Sequence, residues 1–302
     1  ALAMAQAWPS KPIHFVTLFV PGNTGDLTCR IIAQGMAKSL GQPVIVDNLA
    51  GGGGVVAGEK VARAAPDGYT LFYSISGLHV SRVFLARSTP FDPVNDFTPI
   101  TSISESVTVL VAHASTPAGS FRELLEYAKA NPGKVAYGSA GVGSAHHLAG
   151  LLVGQVAGID WVHVPYKSAF SGVQDVVSGQ IPTLFAQAGT LISAAKAGKI
   201  RILAIMGGNR YEGLPDVPTI GEMLPGYEPP PGWSGAFAPP GLPRPLLTRV
   251  HAEILAALAT KEAREVQAKN VSATVTTPTP DAFLAKIRRE VELVGRIVKR
   301  AG

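Results

Sequence analysis

Nine consecutive residues, Ser139 to His147 (SAGVGSAHH), set two hydroxyls, two glycines and two imidazoles just ahead of an apolar helical pattern. Four chemistries could use such a group: a nucleophile with its base, a metal site, a nucleotide-binding turn, or a cradle for another anion. Ser144 with His146 or His147 is the nucleophile option. Side chains two or three apart near a helix start do not readily reproduce that pair, and no acidic orienter stands out. Adjacent histidines point about 100° apart on a helix, a poor metal pair, and no HExxH or CxxC supports one. Neither G-x-S-x-G nor G-x-x-x-x-G-K-[ST] occurs. Gly52, Gly54 and Ala57 satisfy G-x-G-x-x-[GA], yet four residues separate Asp47, a strand end, from Gly52, so the tight dinucleotide turn is not made. An NAD-linked α/β oxidoreductase stands as the rival from this run.

The anion option gains from company. "FVPGNTGDLTCR" ends an early strand, and "AYGSAGVGSAHHL" occupies an equivalent place later. Both set unbonded backbone N–H groups and the positive end of a helix dipole at the carboxyl edge of a sheet, where open α/β sheets bind ligands. Glycine lets the backbone come close, and Thr24, Ser139 and Ser144 add hydroxyl donors. Two further loops are candidates: Ser74, Ser76 and His79 after a strand, and Gln187 with Thr190 in "FAQAGT". At either junction alone, an ordinary βα turn using glycine for geometry explains as much.

The elements that must position these residues alternate. "PIHFVTLFV" reads as a buried strand, followed by a helix carrying Leu27, Ile31, Ile32, Met36 and Leu40, with Asp26 where an N-cap belongs. A strand "PVIVD", a helix over 55–65 and a strand "YTLFYSI" follow. The pattern restarts with "SVTVLVAH" and a helix opened by a capping box, Ser120 with Glu123. Strands "VAYGS", "WVHVPY", "IPTLFAQ" and "IRILAI" then alternate with helices. Strands alternating with helices imply parallel α/β units. The passage from Tyr211 to Pro243 is too rich in proline and glycine for a core element, and the tail is helical, with a short strand "VSATVTT" and a last helix from Pro280. Two lobes fit this layout, 8–104 plus 227–302 and 105–226, with the final helices packing on the first. Two hinge crossings leave an interlobe cleft as the natural ligand site.

Bulk composition narrows the class. Of 302 residues 46% are apolar and 16% charged, which excludes a disordered chain. The 33 glycines and 24 prolines call for many tight turns. The net charge of +5 is scattered, without a basic arm or aromatic-interleaved patch, so nucleic acid is not the expected partner. A mild positive field helps to attract a small anion. The single cysteine, Cys29, reads as a small buried hydrophobe. Ala5-Gln6-Ala7 has the A-x-A form that ends a secretory signal peptide, or else marks a flexible terminus.

Taken in order, "PIHFVTLFVPGNTGD", "LGQPVIVDNLAGGGG", "AAPDGYTLFYS", "TPFDPVNDFTPI", "NPGKVAYGSAGVGSAHHLAG", "VHVPYKSA", "AGKIRILAI", "LPDVPTIGEMLPGYE" and "WSGAFAPPGLP" resemble the Bug family, the periplasmic substrate-binding proteins of tripartite tricarboxylate transporters. The resemblance runs over nearly the whole chain from Trp8. It implies an α/β, two-lobed Venus-flytrap fold, no catalysis, no cofactor, no metal, and a small carboxylate ligand delivered to a membrane permease by a monomeric receptor in the periplasm. A receptor-like domain docking to a signalling partner is a further option. Carried over, the site comprises Pro21, Gly22, Asn23, Thr24, Gly25 and Asp26; Ser74, Ser76 and His79; Ser139, Ala140, Gly141, Ser144 and His147; and Ala188 with Thr190. Ala5-Gln6-Ala7 then reads as a processing site. Three positions depart from the family pattern: Asn23 for a second glycine, Ala186 for an acid after Phe185, and Ser168 for a glycine. Losing the acid favours a purely anionic ligand, a dicarboxylate or aromatic carboxylate, over an amino acid.

Overall fold

A computed structural model describes residues 8–85, 88–166, 169–269 and 271–301. The processing site expected at Ala5-Gln6-Ala7 and the departure at Ser168 lie outside the described residues. In chain order the elements are β1 (Ile13–Thr17), α1 (Thr24–Leu40), β2 (Val44–Asn48), α2 (Val55–Ala62), β3 (Thr70–Ile75), α3 (Arg82–Leu85) and β4 (Thr98–Ser106). Then come β5 (Thr108–His113), α4 (Phe121–Ala130), β6 (Ala136–Ser139), α5 (Ala145–Ala157), β7 (Val162–Pro165), α6 (Ala169–Ser178), β8 (Thr183–Gln187), α7 (Ile192–Lys196) and β9 (Ile200–Ile205). The chain closes with α8 (Ile220–Met223), β10 (Trp233–Ala238), α9 (Arg244–Leu258), α10 (Lys261–Lys269), β11 (Ser272–Thr274) and α11 (Pro280–Ala301).

Two compact units result. The first holds the chain up to Glu105 together with Trp233–Val291; the second holds Ser106–Gly232 and the chain from Glu292 onward. The sequence boundaries of 104 and 226 sit slightly earlier, because the whole proline-rich passage up to Gly232 stays with the second unit. A third boundary falls inside α11, between Val291 and Glu292. That helix has 22 residues, about 33 Å at 1.5 Å per residue, so it is long enough to be shared where the sequence reading kept the tail with lobe one.

Unit one is built on a six-stranded sheet ordered β11-β4-β10-β3-β1-β2. Strands β2, β1 and β3 are parallel, so the turns that follow them emerge at one edge. The sequence reading misjudged β10. "WSGAFA" lies in the passage taken as too punctuated for the core, yet all six residues are buried, and the strand runs antiparallel between β3 and β4. Its prolines flank the strand and none falls within it, which is where proline is tolerated. Gly235 is needed there, since a Cβ would sit 2.6 Å from the Phe283 ring. Below the sheet, α1 packs on α9, and Ile13, Phe15, Cys29, Ile32, Met36, Leu71, Tyr73, Val250 and Ile254 form one core cluster. Cys29 is buried, as its type suggested.

Unit two has a five-stranded sheet ordered β7-β6-β8-β5-β9. Strands β7, β6 and β8 are parallel, whereas β5 runs antiparallel to both β8 and β9. Both sheets are therefore mixed, not wholly parallel. A chain that enters and leaves a unit in mid-sheet reverses direction there, and alternation of strands with helices cannot register that reversal.

Candidate functional site

In unit one, β1 runs into a loop and then α1. Asn23, not Asp26, is the N-cap: its side chain accepts from the Gly25 amide at 2.7 Å. Asp26 lies in the first helical turn and reaches back to accept the Gly22 amide at 2.8 Å, while Arg30 and Asn48 donate to the same carboxylate at 2.9 and 2.7 Å. Burial works to raise the Asp26 pKa, and these donors outweigh it, holding the carboxyl below its ordinary value. The amides of Gly22, Asn23 and Gly25 are thus engaged within the loop. The sequence reading had them unbonded. The Asp26 and Asn23 side chains fold back onto the Gly22 and Gly25 amides, and the Val20 carbonyl takes that of Asn23. Pro21, Gly22, Asn23 and Thr24 are exposed; Gly25 and Asp26 are buried.

At the same edge, Ser74 is the last residue but one of β3, and Ser76 precedes a turn of π-helix over Gly77–Ser81. All three candidates here are interior: Ser74 is 0%, Ser76 5% and His79 1% exposed. His79 stacks on Phe237 with ring centres 3.8 Å apart. Its Nδ1 lies 2.7 Å from the Pro93 carbonyl, so Nδ1 carries the proton. Burial pushes its pKa down to about 4, so the ring is neutral. Nε2 is then the acceptor, and the Ser74 hydroxyl donates to it at 2.9 Å. These two residues buttress the edge from within.

In unit two, β6 runs into a glycine loop and then α5, capped by Ser144, whose Oγ accepts the His147 amide at 3.2 Å. Ser144 also donates to the Gly141 carbonyl at 2.7 Å. Gly141 has φ +105°, and a Cβ there would meet the Tyr166 carbonyl oxygen at 3.2 Å, so the position demands glycine. Ser139 is fully buried; its Oγ accepts from the Gly141 amide at 3.1 Å and pairs with His163 Nε2 at 2.6 Å. His147 accepts the Gly143 amide through Nδ1 at 3.1 Å. Its ring stacks on His163, centres 4.1 Å apart, and His163 stacks on Tyr137 at 5.1 Å. Burial lowers the His147 pKa; burial and then the charge of His147 bring His163 down to about 4. His146 is likewise lowered to about 4 by burial, and its Nδ1 is buried without a partner.

Ala140, Gly141, Ser144 and His147 are half-buried at this rim, and Val142 is its exposed tip. The first-turn amides of Ala145 and His146 belong to those that no intrahelical carbonyl can reach. Since β8 is parallel to β6, the turn Ala188–Thr190 emerges at the same edge. Ala188 is buried and donates its amide to the Val107 carbonyl; Thr190 is exposed, its hydroxyl donating to the Gln187 carbonyl at 2.8 Å. Ala186 is buried within β8, so its size answers to packing rather than to the rim.

His163 escaped the sequence reading. The parallel register pairs Tyr137 with His163, and Ser139 shares the face of Tyr137 by the two-residue period of a strand. That register was the signal available.

Comparison with known proteins follows the same lines. Residues 28–302 match the family described as "Tripartite tricarboxylate transporter family receptor". BugT of Bordetella pertussis is 31% identical over 99% of this chain and 91% of its own. A solved structure from R. palustris with adipate is 28% identical, covers 98% of each chain and superposes with a TM-score of 0.79. MatC from Rhodopseudomonas palustris with bound malate is 29% identical, covers 96% of this chain and all of its own, with a TM-score of 0.74. The resemblance to Bug proteins and to the periplasmic binding protein fold is borne out. The oxidoreductase alternative finds no support among these matches.

Proposed function

The chain belongs to the tripartite tricarboxylate transporter receptor family, and from that premise we propose that it captures a small organic carboxylate in the periplasm and passes it to the family's membrane permease. It is a receptor, not an enzyme. One observation carries the ligand class: each unit opens a long helix, α1 or α5, directly behind a glycine-bearing turn at the carboxyl edge of its parallel strands. Helix N-termini in that setting favour negative charge through their dipoles, and at α5 the first-turn amides of Ala145 and His146 have no intrahelical carbonyl to reach. Exposed Asn23 and Thr24, and half-buried Ser144, add polar groups where an anion would need them. Relatives holding adipate and malate point to a dicarboxylate, with aromatic carboxylates as the second class to test.

Each rim is proposed to bind carboxylate, in a receptor that works as a monomer. A thermal-shift screen over mono-, di- and tricarboxylates and aromatic acids, followed by calorimetry, tests this. A ligand that binds only the native state raises its stability by mass action, so a dicarboxylate is expected to raise the melting temperature. Asn23→Ala and Ser144→Ala should each weaken its binding. No stabilisation by any carboxylate would overturn the ligand class; wild-type affinity in either variant would remove that variant's rim from the proposal.

A further inference from the structure

The anion loop of unit two, residues 139–144, is held by side chains beneath it more than by its own backbone. Its hub is the Ser139 hydroxyl, which receives the Gly141 amide at 3.1 Å and lies 2.6 Å from His163 Nε2. The Gly141 carbonyl, 3.2 Å from the same Oγ, already accepts the Ser144 hydroxyl at 2.7 Å and the Ser144 amide at 3.2 Å. The short contact to His163 is therefore the strong bond of the set. The second support is His147, whose Nδ1 takes the Gly143 amide at 3.1 Å. These two imidazoles are stacked, 4.1 Å between centres and 26° between planes. Behind them Tyr137 stacks on Trp161 at 4.5 Å, continuing the column into the interior. One end of a four-ring column thus meets the loop at two points, Ser139 and Gly143.

We propose that His163 is a positioning residue for ligand binding: through Ser139, and through its stack on His147, it fixes the path of residues 139–144 in front of α5. Ser139 is fully buried, so the serine acts on the loop and not on the ligand. This inference rests on the carboxylate reading for its consequence, but its structural part can be tested alone.

The experiment compares wild type with H163F, H163N, H163Q, S139A and the double variant H163F/S139A. Phenylalanine keeps a ring for the stack and removes Nε2; asparagine is too short to reach Ser139; glutamine places a side-chain amide near the Nε2 position, with an oxygen that can accept from the Ser139 hydroxyl. Calorimetry with adipate and malate as probes should show affinity falling about tenfold in H163F and H163N, the value of roughly one hydrogen bond. H163Q should recover most of that loss, and H163F/S139A should lose no more than S139A alone, since both act through one bond. Amide exchange at Gly141, read by NMR without any ligand, should speed up in H163F and H163N but not in H163Q. Unchanged exchange in both, wild-type affinity in both, or losses in the double variant that multiply would each overturn the proposal. If wild type binds no carboxylate, the ligand class fails, while exchange at Gly141 still decides the role of His163.

Discussion

Each unit buries one serine against one imidazole, and the two pairs differ in what holds the far side of the ring. In unit one the Pro93 carbonyl takes the proton on His79 Nδ1, which commits the Ser74 proton to Nε2. In unit two no hydrogen-bond partner faces His163 Nδ1 among the described residues, and the ring is held by stacking on His147 and Tyr137. The first pair is locked into the aromatic interior with Phe97 and Phe237. In the second, Ser139 is buried and His163 half-buried, directly under the loop of residues 139–144. The same two residue types therefore serve stability in one place and loop geometry in the other, and the surroundings decide which.

That contrast can be broken by mutation. The largest effect is expected from His79→Ala, which empties a fully packed site and orphans the Pro93 carbonyl; about 3 kcal/mol of stability should be lost in urea denaturation. H163F should cost far less stability and far more affinity, and equal stability losses in the two would dissolve the distinction. Acid acts on both. His79, His146 and His163 have folded pKa values of about 4 against 6.5 ordinarily. Between those values the unfolded chain binds more protons, so stability should be full above pH 6.5 and decline as the pH falls toward 4. A flat stability profile across that window would contradict burial of the neutral rings, and His79→Ala should flatten its share.

Asp26→Asn should cost about 2 kcal/mol, because Arg30 loses its anionic partner and the Gly22 amide faces a weaker acceptor. The Asp26 pKa is depressed, so its contribution is present above the ordinary value of 3.8 and lost as pH falls below it; the cost of the substitution should vanish in strong acid. The smallest effect is expected from Ser144→Ala, about 1 kcal/mol for a lost N-cap, measured by denaturation in the absence of ligand.

Much of this was legible before any coordinates. The turns before α1 and α5 announced themselves by glycine and hydroxyl residues beside apolar periodicity, and the capping role of Ser120 follows from its spacing to Glu123. The β10 strand did not, because six residues hemmed by prolines, with Ser234, Gly235 and Ala236 between Trp233 and Phe237, carry no period that distinguishes a buried strand from a loop. Asn23 and Asp26 compete for one cap, and only the backbone dihedrals of Asn23, φ −71° and ψ 156°, settle it. The Ser139–His163 pair depends on strand register across 24 residues, which local pattern cannot encode. Ser74 and His79 are in contact and both lie in the interior, a depth that sequence does not show.

Cys29 sits in the core of unit one at 0% exposure, its thiol pushed well above the ordinary range by burial. An alkylating reagent can therefore reach that sulfur only when the packing around it comes apart. The rate of labelling under native conditions becomes a clock for how often the packing around Cys29 opens, readable by mass spectrometry.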